Sequence, residues 1–313
     1  MTDPILVLII ALLIDILLGE PPSALHPVVL MGKMVDLLRR MMPRRKLSGL
    51  MITLFVIFGA VAGGNALIRI AHAPGDLAGS PAIGDILALL MASYLLKSTF
   101  AFRSLIETSR EIGGLIDKDL DAAKRLLPAL VSRNPLTLTH AQARSAVIES
   151  LSENYVDTIV SPLFYYVTFS YIGLGVEAAL AFKAVSTMDS MLGYKTDELR
   201  EIGYVPARLD DIMNWIPARL SLPLLMIASP GRAADILRAC MRYRSATPSP
   251  NSGWPMAAAA GALGTRLEKP GVYKILDDGR EPESEDISSA ISLIGRAMIL
   301  AALLSVLLLI PLR

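Results

Sequence analysis

The run Leu50–Ile70 constrains this chain most. No charge interrupts it before Arg69 at its far end, and it matches the roughly 20 apolar residues that cross a bilayer core as one helix. A helix pairs its own backbone donors and acceptors, so such a run predicts a membrane span. Gly59, Gly63 and Gly64 would let neighbouring helices approach closely. Composition agrees: of 313 residues, 53% are hydrophobic and 19% charged, against about 25% charged in soluble chains. That apolar content excludes a disordered chain. Lys+Arg 30 against Asp+Glu 29 leaves no general positive field, which argues against a nucleic-acid binder. The lone Cys240 can form no intrachain disulfide and, with no second thiol or His cluster nearby, no zinc site.

Other apolar segments are less regular. Pro4–Leu18 carries Asp15 and is short for a bilayer, while Ile83–Phe102 carries Asp85 and Lys97 towards its two ends. Pro162–Phe182 contains Glu177; Ile212–Ala228 contains Pro217, Arg219 and Pro223; Ala297–Leu312 is a last short apolar helix. Prolines within such segments point to broken or re-entrant helices. Residues 31–48 hold Lys33, Arg39, Arg40, Arg44, Arg45 and Lys46 against Asp36, as a cytoplasmic loop would, and Ala71–Ala82 has no Lys or Arg, as an external loop would. No removable signal peptide is read at the N-terminus. The expected fold is all-α: one polytopic membrane domain over 1–313 with short, broken or re-entrant helices. It would carry a cytoplasmic helical segment at 103–160 and a polar loop segment at 231–296, whose acidic stretch Asp277–Asp286 reads as solvated.

Four polar stretches could carry chemistry. Glu20-Pro21-Pro22 and His26-Pro27 hold the chain extended, as a surface site or a connector. Glu149, Glu153 and Asp157 recur every four residues and so share a helix face, either solvated or neutralised by a cation. Lys183, near Thr187 and Asp189, suits a phosphate or a snorkelling role. Further along this third stretch, Asp210 and Asp211, four and three residues before Asn214, form an oxygen corner suited to Mg²⁺, although an Arg208–Asp211 pair at a helix start fits the same spacing. Ser249–Arg266 makes a rigid turn about Trp254 and then a small-residue helix, either a ligand loop or a corner. Neither G-x-x-x-x-G-K-[ST] nor G-x-G-x-x-G occurs.

In order along the chain stand LGEPPSALHPVVLMGK at 18–33, ESLSENYVDTIVSPLFY at 149–165, FKAVSTMDSMLGYK at 182–195, ARLDDIMNWIPARL at 207–220 and SPNSGWPMAAAAGALGTRL at 249–267. Together they resemble the adenosylcobinamide-phosphate synthase family of cobalamin biosynthesis, nearly end to end. The resemblance implies an ATP-dependent carbon–nitrogen ligase. It would join (R)-1-aminopropan-2-ol, or its phosphate, to a propionate carboxylate of the corrinoid adenosylcobyric acid, giving adenosylcobinamide (phosphate). It also implies ATP and Mg²⁺, a multi-pass cell-membrane protein and an active site on the cytoplasmic side. On this likeness Lys183, Asp189, Glu153 and Asp157 are catalytic candidates. Arg208, Arg219, His26, Asn251 and Trp254 are candidates for substrate, and Asp210, Asp211 and Glu149 for metal. The chain departs from the family pattern at Ser186 (Asn expected), Met256 (Glu expected) and Arg133-Asn134 (Arg-Asp expected). A membrane sensor or accessory protein on the same scaffold, or a corrinoid transporter, are the alternatives.

Overall fold

Capping chemistry sets the first helices. In the computed structural model, which describes residues 3–131, 135–194 and 196–312, Asp3 accepts the Ile5 and Leu6 N–H groups and starts α1 (Pro4–Leu18), which ends on Gly19 at φ 73°. His26 caps α2 (Pro27–Met41) through Nδ1. α3 (Lys46–Leu77) and α4 (Pro81–Lys97) follow. α5 (Phe102–Ile116) buries Leu105, Ser109, Ile112 and Ile116 at helical spacing, and α6 (Leu120–Leu126) is short. A reciprocal Thr139–Gln142 capping box begins α7 (His140–Tyr155), which passes into a π-helical turn at Val156–Val160. α8 (Ser161–Ser170), α9 (Gly175–Leu192), α10 (Tyr204–Met213), α11 (Trp215–Ala228), α12 (Ala233–Tyr243) and α13 (Gly253–Leu263) come next. Strands β1 (Leu267–Lys269) and β2 (Tyr273–Ile275) form an antiparallel hairpin before α14 (Ser284–Leu309).

The architecture is thus nearly all-α, the small hairpin being the departure from the expected class. Contacts gather the chain into two compact units. The first comprises residues 1–101, 161–213 and 303–313; the second comprises 102–160 and 214–302. In the first, α3 packs on α4 and α9, α1 on α4, and α10 on α9. Its core includes Leu8, Ile52, Leu95, Leu96, Phe182 and Met188. In the second, α13 packs on α12, α11 and α7. The run Ala257–Ala260 is fully buried, and a Cβ at Gly261 would sit 2.7 Å from Ala239 Cβ, so small side chains set the α12–α13 approach.

Among the described residues, three helical stretches are long and apolar enough to cross a membrane: Lys46–Leu77, Pro81–Ile116 and Ser284–Leu312. A fourth exists if Trp215–Ala228 and Pro230–Tyr243 form one span, but they meet at 109°. The bend falls at Ser229, beyond the segment Ile212–Ala228 expected to be broken or re-entrant, and Pro217 and Pro223 stay inside α11. Several boundaries need correction. α3 runs past Ile70 to Leu77, so most of the expected external loop Ala71–Ala82 is helical, and of the basic residues at 31–48 Lys33, Arg39 and Arg40 lie on α2 while Lys46 opens α3. Pro162–Phe182 is two helices with a turn at Gly173 (φ 75°). Residues 231–296 are no loop: they hold α12, α13, the hairpin and the start of α14, because alternating apolar residues in short amphipathic segments find core partners despite their charge. Asp286 is buried and receives two 2.6 Å bonds from Arg280, so the acidic stretch is not simply solvated. Asn134 and Lys195 lie outside the described residues.

Candidate functional site

The acids of the third and fourth motifs gather in the first unit. α9 carries Asp189 near its C-terminus and α10 carries Asp210 and Asp211. The chain must turn back sharply between these helices. A Cβ at Gly193 would lie 2.2 Å from Asp189 Oδ1, and one at Gly203 would lie 1.9 Å from the Leu192 carbonyl oxygen. Glycine at both places lets α10 lie along α9. Burial raises the Asp189 carboxyl to about 6, and the nearby Asp211 charge pushes it the same way. Asp210 stands close enough to Tyr165 that its charge adds to burial in raising that phenol to about 12. The Tyr165 hydroxyl donates to the Met213 carbonyl at 2.9 Å, and its ring stacks on Phe182 at 5.3 Å. Among the described residues no group of three His, Cys, Asp or Glu side chains is placed to hold a metal ion. An Asp189 carboxyl raised by burial and by the Asp211 charge still fits a Mg²⁺ that arrives with phosphate and keeps its waters, since such an ion needs only one or two protein oxygens.

Lys183 sits half-buried on the same helix, but six residues from Asp189, hence about 120° away around the axis. Arg208 is exposed, 3.5 Å from Asp211 and 5.8 Å from the Tyr204 ring. The Arg208–Asp211 pair weighed for the start of a helix therefore exists, though inside α10.

In the same unit the first motif closes on a buried ion network. Lys97, fully buried, lies 2.9 Å from Asp15 Oδ1 and 2.8 Å from Glu20 Oε1. His26 Nδ1 accepts the Val28 N–H, so Nε2 carries the proton and donates to Glu20 at 3.0 Å. Burial opposes ionisation of Glu20, yet the bonds from His26 and Lys97 prevail and its carboxyl titrates below the ordinary range. Both nitrogens of His26, the expected substrate contact, are thus engaged within the protein.

The second unit holds the Glu149–Glu153–Asp157 row, and the row is not one face. Glu149 is buried, accepting from Ser145 Oγ and from the Tyr273 hydroxyl, whereas Glu153 is exposed. Asp157 falls in the π-helical turn, whose wider period breaks the four-residue spacing. Glu149, expected as a metal ligand, thus has both carboxylate oxygens bonded within the protein. Ser145 Oγ in turn accepts the Glu268 N–H at 2.8 Å, fastening β1 to α7. Met256, where the family pattern has Glu, puts its sulfur 3.7 Å from the Tyr273 hydroxyl.

Also in this unit, Arg219 lies over two indoles, 4.0 Å from the Trp215 ring and 4.9 Å from the Trp254 ring. It donates to the Trp215 carbonyl at 2.6 Å and to Asn251 Oδ1 at 3.4 Å. Arg244 lies over the same Trp254 ring at 5.1 Å. Three substrate candidates, Arg219, Asn251 and Trp254, are thus brought together from two motifs. Sequence reasoning missed Arg244 and Tyr273, which stand in no motif, and Trp215, whose four-residue spacing from Arg219 was a readable signal.

A model of the family described as CobD/Cbib protein matches residues 8–294. The chain belongs to this family. A CobD/Cbib relative, the probable cobalamin biosynthesis protein CobD of Methanothrix thermoacetophila, is 81% identical over 99% of this chain and 98% of its own length. The protein of that name from Methanothermobacter thermautotrophicus is 38% identical over 97% and 98%. The cobalamin biosynthesis protein CobD of Dehalococcoides mccartyi is 35% identical over 96% of each chain. No solved structure matches the chain. CobD/Cbib membership covers both units, and so both the carboxylates of α9 and α10 and the arginines around Trp254.

Proposed function

We propose that this protein acts in cobalamin biosynthesis as an ATP-dependent amide ligase. It would join aminopropanol or its phosphate to a propionate carboxylate of adenosylcobyric acid. The observation that carries the reading is the family match over residues 8–294, with the five motifs falling inside it. A carboxylate becomes an acyl donor when ATP phosphorylates it, releasing ADP. The amine nitrogen then forms the C–N bond as phosphate leaves. Mg²⁺, when bound, neutralises the phosphoryl charge. Asp189 and Asp211 suit a cationic partner, whether the substrate ammonium or that ion. With its carboxyl raised to about 6, Asp189 is also a stronger base than an ordinary carboxylate towards the proton an ammonium must lose before attack. Arg208, Arg219 and Lys183 supply positive charge for phosphate or propionate.

The test is direct: purified protein receives adenosylcobyric acid, aminopropanol phosphate, ATP and Mg²⁺, and the corrinoid is weighed by mass spectrometry. The mass of the amide, with ADP formed in step, is expected. An unchanged corrinoid without ATP use would favour the accessory protein. Unchanged corrinoid accumulating inside proteoliposomes would favour the transporter.

The reading also places the protein in the cell membrane, with its active site facing the cytoplasm. Resistance to alkaline carbonate is expected from Lys46–Leu77, Pro81–Ile116 and Ser284–Leu312. Cys240 is buried, so sidedness is best read with Ser190→Cys, at an exposed position, in a Cys240→Ala background. Labelling by an impermeant maleimide is expected only after the cytoplasmic side is opened.

A further inference from the structure

Arginines in the second unit usually have acids. Arg144 pairs with Asp117, Arg232 and Arg238 with Asp235, Arg242 with Asp277, Arg266 with Glu281 and Arg280 with Asp286. Arg219 and Arg244 have none among the described residues; neither do Arg110, Arg125 and Arg296, but those three are exposed, whereas Arg219 and Arg244 are half-buried and share one indole. Arg219 is held by two rings, the Trp215 carbonyl and Asn251, which is 7% exposed; Arg244 has the Met241 sulfur and the Trp254 ring. Two half-buried guanidinium groups on one ring repel each other, and no carboxylate among the described residues pairs with either. An anion would offset the repulsion.

The backbone adds to the same field. A Cβ at Gly253 would lie 2.2 Å from the Arg244 carbonyl oxygen, so the first residue of α13 touches the Arg244 backbone, and only glycine permits it. The positive end of an 11-residue helix is thereby fixed beside both arginines. At α11, Pro223 has no N–H to give the carbonyl four residues back, that of Arg219. Arg219 thus sits where the helix is locally loosened, while its side chain is fixed from two sides.

We propose that Arg219 and Arg244, stacked on Trp254, form a clamp for the phosphate group of a soluble phosphate ester. A phosphate monoester dianion matches two cations in charge, and each guanidinium can offer it two parallel N–H groups. This rests on the ligase reading only for the source of the ester, which would be the phosphorylated amine or ATP.

The chain's two tryptophans are Trp215 and Trp254, so its tryptophan emission reports this cluster alone. The experiment titrates the full chain, in nanodiscs of phosphatidylcholine, with aminopropanol phosphate, with unphosphorylated aminopropanol and with ATP in EDTA. A fourth sample replaces part of the lipid with phosphatidic acid. A saturable emission change is expected with at least one phosphate ester and not with aminopropanol; which ester responds identifies the source. Arg244→Gln and Arg219→Gln should each weaken that response about tenfold or more, and Arg244→Lys should recover part of it. Unfolding midpoints close to the parent's would exclude misfolding. The clamp is overturned if neither ester changes the emission, if both Gln variants respond like the parent, or if only phosphatidic acid gives a change. Because no turnover is needed, binding without amide formation would sink the ligase and leave the clamp. Amide formation with an unchanged KM for both esters in Arg244→Gln would do the reverse.

Discussion

Lys97 and Asp189 are both ionisable groups drawn out of water within one unit, and they are treated oppositely. Lys97 is fully buried but surrounded: Asp15 at 2.9 Å, Glu20 at 2.8 Å and the Phe100 carbonyl at 3.3 Å answer its charge. Asp189 is less deeply buried, yet the charge that reaches it is the like charge of Asp211. A group whose neighbours complete its charge serves the fold. One whose neighbours worsen it is a candidate for function, which is the role proposed above for Asp189.

Removing Lys97 should therefore be the costliest change. Lys97→Met strands Asp15, which is 0% exposed, and breaking a buried pair from one side costs about 3–5 kcal/mol. The expected outcome is little folded protein in detergent, with Lys97→Met/Asp15→Leu recovering much of the loss. A single variant that unfolds with the parent would break the contrast from the Lys97 side.

Asp189→Asn tests the other side. Product formation should fall about 100-fold, as for loss of a positioned proton acceptor, while the fold survives. The pH dependence gives a check without substrate. Asp189 titrates at about 6 in the folded chain against an ordinary 3.8. The folded form therefore binds the extra proton between these values, and the stability associated with this group falls as pH rises through that window. At pH 8 Asp189→Asn should melt above the parent, and by about pH 4 the difference should vanish. A variant that melts below the parent at pH 8 would mean that Asp189 already has its counter-charge.

Glu149→Gln separates two carboxylates that looked alike in sequence. With both oxygens bonded inside the protein, Glu149 should cost about 1–3 kcal/mol in stability when changed, with the Mg²⁺ dependence of product formation unaltered. A shifted Mg²⁺ requirement would mark it as a metal ligand.

The pair Glu149 and Asp189 also marks how far sequence reaches. Long apolar runs were legible because the bilayer demands length and composition, which a window of residues carries entirely. The bend after Ala228 was not legible where it lies: Pro217 and Pro223 point to a break within Ile212–Ala228, yet both stay inside α11. Nor was Glu149's burial, because its partner Tyr273 arrives on a hairpin more than a hundred positions later, and a four-residue repeat says which residues share a face but not what covers it. The repeat itself fails at Val156–Val160, where a π-helical turn carries no distinctive composition. Arg244 was hidden for a similar reason: only folding sets it on Trp254. The hairpin and α12 were masked by charge, since segments this short bury too few residues to stand out from loops.

The smallest effect belongs to Arg208, which sharpens the comparison by sitting between its two cases. Its guanidinium lies 3.5 Å from Asp211, so it could be taken as a counter-charge that settles the acid cluster. Its side chain is 65% exposed, however, and the pair is three residues apart on a helix surface, where water screens most of the attraction and side-chain entropy offsets the rest. Arg208→Ala should therefore shift stability by no more than about 0.5 kcal/mol, and should leave the pH at which Asp189 titrates, followed by carboxyl NMR or infrared difference spectra, within a few tenths of a unit. A large upward move of that titration would show that Arg208 neutralises the cluster. The acids would then be a completed structural network like that of Lys97 rather than a place held for a cation.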